Sequence, residues 1–176
     1  MTGMDEVLTR PVDPDDFDRF GRLWQRLSPE TVYRRFLAPI RRVSAAFVGH
    51  IVEVDHELRD AVVAVVDDEI VGIAQYERLG DDPSRADVAV LVQDDWQGLG
   101  LGSRLSDDIV SLAAARGVRT VVADVLATNE RMLAILQRNG PGLRLHRESA
   151  VYAVELPLAP RHPAHAQYPP HALAAA

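Results

Sequence analysis

The chain contains no cysteine. That excludes disulfides, a cysteine nucleophile and thiolate metal sites together. Lysine is missing too: the 19 basic residues are all arginine, so no side chain of this protein can form a Schiff base. No apolar run approaches the roughly 20 residues that cross a bilayer, and no membrane partner is expected. Residues 1–6 have neither a basic region nor an apolar core. No secretory signal is read there, and a cytoplasmic location is the expectation. A positive surplus is also absent. The formal net charge is −7, which argues against a nucleic-acid partner and suits a cationic substrate. His50 and His56, with Glu53, Asp55 and Glu57 nearby, match no metal-ligand spacing and read as surface residues, so no metal is expected.

What is present is an ordinary globular composition, 47% hydrophobic and 26% charged, at a length that suits one domain with a real core. The domain is expected to span residues 5–156. From Pro157 through Ala176 proline, histidine and alanine dominate without an apolar period, the pattern of a flexible tail.

One stretch organises the rest. Val88, Ala89, Val90, Leu91 and Val92 form a short apolar run, the pattern of a strand buried on both faces. Leu101, Leu105, Ile109 and Leu112 then recur at helical spacing, with Asp107 and Asp108 expected on the wet side. Between strand and helix lie Gly98, Gly100 and Gly102. Backbone without Cβ can approach a ligand closely, and the first N–H groups of a helix have no partner within it. Together they make a seat for a phosphate or pyrophosphate.

The other elements fall around this unit. Residues 6–10 read as a first strand stopped by Pro11. Asp13, Ser28 and Ser44 read as caps of three successive helices, the first carrying the stripe Phe17, Phe20, Leu23, Trp24 and Leu27. Arg34, Arg35, Arg41 and Arg42 form a basic cluster, either a solvated face or an aid to a phosphate or acidic group. Residues 61–66 and 70–76 form a hairpin about Asp67–Glu69, and 80–84 a polar loop. Gly117 stops the central helix. Residues 119–125 give a strand parallel to the organising one, by the right-handed crossover rule. Thr128-Asn129 opens another helix, Gly140-Pro141-Gly142 ends it, and 143–146 with 150–156 close the sheet.

The run Gln97-Gly98-Leu99-Gly100-Leu101-Gly102 resembles the Gln/Arg-x-x-Gly-x-Gly/Ala signature of the GNAT (GCN5-related N-acetyltransferase) family, and the element order is similar over roughly residues 5–156. The resemblance implies an α/β (α+β) fold: one domain, a mixed central sheet with helices on both faces, and a splayed central pair of parallel strands. It implies acetyl-coenzyme A as co-substrate. The backbone of Val90, Leu91 and Val92 would run beside the pantetheine arm, where a bulge splays the strand, and an N–H near Leu91 would hold the developing oxyanion. Gln97 and the amides of Gly98, Leu99, Gly100, Leu101, Gly102 and Ser103 would bind the pyrophosphate. Asn129 would contact the pantetheine, or act only as a helix cap.

The implied reaction is direct attack of an amine on the thioester, with Asp87 as the base that first removes the ammonium proton. Glu53 and Asp55 are reserves. Where many members carry a tyrosine that protonates the thiolate, this chain has Leu136. That loss, with Leu27–Phe36 and the acid at 87, resembles bacterial protein-lysine acetyltransferase domains, where the strand acid is a longer Glu. The favoured acceptor is a protein lysine or a small amine, and a homodimer through the last strands is an expectation. Two other readings stay open: a coenzyme-A-binding sensor or interaction module without catalysis, and an NAD-binding oxidoreductase. The second would use Asp124 on the ribose, although its fingerprint wants glycine where Ser103 stands.

Overall fold

The computed structural model describes residues 6–138 and 142–159. The Gly140-Pro141 part of the expected helix stop and the tail from Pro160 lie outside the described residues. Seven strands form one sheet in the order β1-β2-β3-β4-β5-β7-β6. They are β1 (Leu8–Pro11), β2 (Arg59–Val66), β3 (Glu69–Leu79), β4 (Asp82–Val92), β5 (Thr120–Leu126), β6 (Arg144–Glu148) and β7 (Val151–Pro157). Only β4 and β5 pair in parallel; the other five pairings are antiparallel. Among the described residues five α-helices accompany the sheet: α1 (Phe17–Gln25), α2 (Pro29–Phe36), α3 (Ala45–Val52), α4 (Leu101–Ala115) and α5 (Glu130–Arg138).

Two cores follow from the period of two along the strands. Ala64, Ala74, Tyr76 and Ala86 face α4, whose Leu101, Leu105, Ile109 and Leu112 are fully buried against them. Ala61, Val63, Ile73 and Leu91 face the other way, onto Phe20 and Leu23 of α1 and Val48 and Ile51 of α3. A central strand buried on both faces must be apolar at consecutive positions, and that is why β2 reads Ala-Val-Val-Ala-Val-Val. Gly72 of β3 is fixed by packing: a Cβ there would lie 2.8 Å from Leu105 Cδ1. Among the described residues no helix is long and apolar enough to cross a membrane.

All three expected caps are present. Asp13 accepts from Asp15 N, Ser28 Oγ from Thr31 N and Ser44 Oγ from Phe47 N. Gly117 follows α4 at φ +87°, the left-handed stop. Four expectations need correction. Pro11 is the last residue of β1 and does not stop it short, because β1 is an edge strand, where a missing N–H costs no ladder bond. The polar loop at 80–84 shrinks to Gly80 and Asp81, since β4 already pairs with β3 at Asp82. Phe17 remains more than one-third exposed. Asp107 is exposed, but Asp108 is buried beside Thr9 of β1, one helical step nearer the apolar stripe.

Candidate active site

The parallel pair β4–β5 is joined at only three positions, Arg85–Thr120, Ala86–Val121 and Asp87–Val122. Beyond them both strands continue, β4 to Val92 and β5 to Leu126, without pairing to each other. A cleft of about 960 Å³ opens in the gap. Its walls are Val88–Val92 on one side and Val121–Val125 on the other, with α2, α5 and the 97–103 loop around its mouth.

The β3–β4 register is unbroken from Gly72–Val92 to Arg78–Ala86, so the expected bulge in β4 is not there. The strands part because their ladder ends. The register also fixes where the backbone points. Gln93 N donates to Val71 O at 2.9 Å. Alternation along the strand therefore turns the Leu91 N–H toward β3, and those of Val90 and Val92 toward the cleft. The N–H groups near Leu91 that face the cleft are those of Val90 and Val92. Leu91's side chain is buried among α1 and α3.

Past Val92 a short 3-10 turn, Asp94–Trp96, leads into the glycine loop. Gly98 and Gly100 have φ of +78° and +94°. A Cβ on either would meet open space. Gly100 caps α4 without a side-chain hydrogen bond to its first turn. Leu101 is wholly buried, its backbone included, and Leu99 is half exposed outside the cleft wall, so of the expected loop contacts these two do not line the cleft, whereas Gln97, Gly98, Gly100, Gly102 and Ser103 do.

Gln97 has a supporting role the sequence did not reveal. Its Nε2 donates to Val92 O and to Thr31 Oγ1, each at 3.0 Å. Asp94 completes the tie: it accepts from Ser28 N (2.9 Å), Ser28 Oγ (2.5 Å) and Thr31 Oγ1 (2.8 Å). Burial opposes ionisation of Asp94, yet these hydrogen bonds hold its carboxyl below the usual range. The start of α2 is thereby fastened to the loop. Asn129 lines the cleft and also caps α5, its Oδ1 accepting from Met132 N at 3.3 Å.

Asp87 sits where the strands separate, on the sheet face that α2 covers, and its side chain opens into the cleft. Surrounding protein desolvates it and raises its pKa; Arg35 opposes the rise, while Asp124 and Glu77 add to it. Arg35 lines the same cleft, with its guanidinium 4.7 Å from the Phe36 ring centroid. Burial lowers the Arg35 pKa, and the charge of Asp87 counters this. Within the basic cluster nothing in the sequence singled Arg35 out. Of its neighbours, Arg34 pairs with Glu30 one helical turn back. Glu53 and Asp55 do not line the cleft. Asp55 holds a turn, its Oδ1 accepting from the N–H groups of Glu57, Leu58 and Arg59. His50 meets Glu77, and His56 meets Asp60. Leu136 does line the cleft, and no hydroxyl stands at that position.

A sheet with one splayed parallel pair among antiparallel ones differs from a doubly wound dinucleotide fold, whose sheet is mostly parallel. Residues 20–140 match the model of the Acetyltransferase (GNAT) family, and the chain belongs to that family. It is 34% identical over 130 residues to Acetyltransferase PA5475 of Pseudomonas aeruginosa, covering 72% of this chain and 69% of the relative. It is 35% identical over 135 residues to Acetyltransferase Pat of Mycolicibacterium smegmatis, covering 74% of this chain but only 40% of that longer protein. The solved GNAT domain of S. lividans PAT superposes with a TM-score of 0.79 at 32% identity, over 86% of this chain and 90% of that one. The protein is therefore an acetyltransferase, and the oxidoreductase reading falls.

Proposed function

We propose that the protein transfers an acetyl group from acetyl-coenzyme A to a primary amine, with a protein lysine as the favoured acceptor and a small cationic amine as the other. One observation carries the reading. The ladder between β4 and β5 ends at Asp87, so this acid stands at the inner end of a cleft whose outer end is the start of α4. The residues fit the carrier. Two open glycines and the first-turn amides of Gly102 and Ser103 suit a diphosphate, and the N–H of Val92 suits an extended, amide-bearing arm. When bound, the carrier supplies an activated acyl carbon.

The chain's own part follows from acid–base chemistry. An alkylammonium, with pKa about 10, cannot attack until it loses a proton. Asp87 takes that proton, directly or through one water. Glu77 and Asp124 keep the surroundings negative and so favour a cationic acceptor. As the C–N bond forms and the C–S bond breaks, negative charge collects on the carbonyl oxygen. The Val90 N–H is the strand donor placed to meet it. The departing thiolate has an ordinary thiol pKa near 8.5 and takes up, through water, the proton that the newly bonded nitrogen sheds, which agrees with Leu136 at the position of the missing acid. The resemblance of Leu27–Phe36 and the acid at 87 to bacterial protein-lysine acetyltransferase domains is what favours the lysine acceptor.

Thiol release from acetyl-coenzyme A, measured with lysine-containing peptides and with a panel of small amines, tests the reading. Amine-dependent release with an acetylated product is expected. Tight binding of coenzyme A with no release for any amine would favour the non-catalytic module instead.

A further inference from the structure

We propose that Arg131 and Arg138 form a second anion subsite beside the glycine loop, one that takes a phosphomonoester: the 3′-phosphate of coenzyme A. The inference rests on the coenzyme A reading above and extends it to a group the loop amides do not account for.

Arg131, Ile135 and Arg138 are spaced i, i+4 and i+7 and share one face of α5. That face fronts the start of α4. A Cβ on Gly102 would lie 3.5 Å from Ile135 Cδ1. The flanking arginines reach the two ends of the loop. Arg131 Nη1 donates to Gln97 Oε1 at 3.4 Å, and Arg138 Nη2 donates to Ser103 Oγ at 2.5 Å. Both acceptors are neutral, and among the described residues neither arginine has a carboxylate within ion-pair distance. Both line the cleft. Two guanidiniums thus bracket the amides of residues 98–103, held near them but without a counter-charge.

The charges sort the ligand groups. A diphosphate diester carries one charge per phosphorus and suits neutral amides at a helix start. A phosphomonoester carries about −1.5 to −2 at neutral pH, with three acceptor oxygens. Planar guanidinium forks match that group, two donors at a time. Coenzyme A has one monoester, on its ribose, and 3′-dephospho-coenzyme A lacks only that group. The arginine pair therefore makes the site discriminate between the two.

Calorimetric titration of the whole chain with coenzyme A and with 3′-dephospho-coenzyme A tests this, using wild type and the Arg131→Gln/Arg138→Gln double variant. Wild type is expected to bind coenzyme A about ten-fold or more tightly than the dephospho form, the scale of charge-assisted hydrogen bonds. That preference should shrink as salt is raised. In the double variant the preference should vanish while dephospho-coenzyme A binds as it does to wild type, which also shows that the loop has kept its shape. An Arg131→Lys/Arg138→Lys variant should keep part of the preference. No preference in wild type, or an equal preference in the double variant, would overturn the subsite. Should wild type bind neither compound, the coenzyme A reading would fall, and the subsite with it.

Discussion

Asp87 of β4 and Val122 of β5 form the last rung between the two parallel strands. A base at that rung lies where an acceptor and a donor entering the gap from opposite directions would meet. Asp87→Asn keeps the size and hydrogen-bonding shape of the side chain but cannot accept the ammonium proton. Turnover is expected to fall about 10²- to 10⁴-fold, the usual weight of a general base. Binding of coenzyme A should hardly change, because the loop amides are remote from the strand junction. Steady-state rates paired with calorimetry check both parts. Unaltered turnover would take Asp87 out of the mechanism.

With Asp87 as the base, Arg35 would set the pH at which it works. Partial desolvation by the surrounding cleft raises the Asp87 pKa and the Arg35 charge pulls it down. Arg35→Gln removes the downward pull, so the Asp87 pKa must rise further. A base acts when deprotonated, and kcat/KM falls on the acid side as the base takes up its proton. The acidic limb of the profile should therefore move to higher pH in Arg35→Gln and stay near its original place in Arg35→Lys. A limb that does not move while kcat drops would make Arg35 a contact of the acceptor rather than a partner of Asp87.

Much of this arrangement was legible in the chain, for reasons that are local. The caps at Asp13, Ser28 and Ser44, the helix from Leu101 and the glycine loop each depend on residues a few positions apart, and they form as read. The strands were legible because burial on both faces demands unbroken apolar runs. What escaped depends on which distant residues meet. Arg35 looked like any of four clustered arginines until α2 was laid over β4. Arg131 and Arg138 lay on a helix valued for its apolar side. Gln97 was read as a ligand contact, and its bonds to Thr31 and Val92 appear only once α2 and the strand end are adjacent. The direction of the Leu91 N–H turned on register, which a single strand does not reveal.

Gly100 and Gly102 separate two reasons for glycine in the loop. Gly100 has φ +94° and open space around its missing Cβ. Alanine there meets no atom but must hold a left-handed conformation, at a cost of about 1–2 kcal/mol. Gly102 is helical, and a Cβ would make ordinary contacts of 3.5 Å to Ile135 and 3.8 Å to Val92. Gly100→Ala should lower thermal stability, whereas Gly102→Ala should leave it level or raise it slightly. Both should weaken coenzyme A binding, since each puts a methyl group at the mouth of the cleft. Melting curves with and without coenzyme A separate the two effects. Equal melting temperatures for the two free variants would count against the strain argument.

Asp16 ties the first strand to the first helix and gives the fold an acid-sensitive joint. Its wholly buried carboxylate accepts from Arg10 Nη1 and Nη2 at 2.6 and 2.7 Å, from Asp13 N at 2.9 Å and from Arg19 at 3.2 Å. Burial alone would raise its pKa, but the Arg10 pair and the Asp13 amide outweigh it and bring the pKa below the usual value. The folded pKa thus lies beneath the unfolded one, near 3.9. The contribution to stability is full above that unfolded value and is lost as pH falls through the folded one. Asp16→Asn keeps the amide contacts in shape but leaves Arg10 without its counter-charge. A loss of about 2–3 kcal/mol at neutral pH is expected, toward the low end for a buried pair because Arg10 is partly solvated. The difference between variant and wild type should narrow as pH drops below about 4. Urea unfolding at pH 7 and pH 3 measures it, and an undiminished difference at pH 3 would mean that Asp16 acts through packing, with ionisation playing no part.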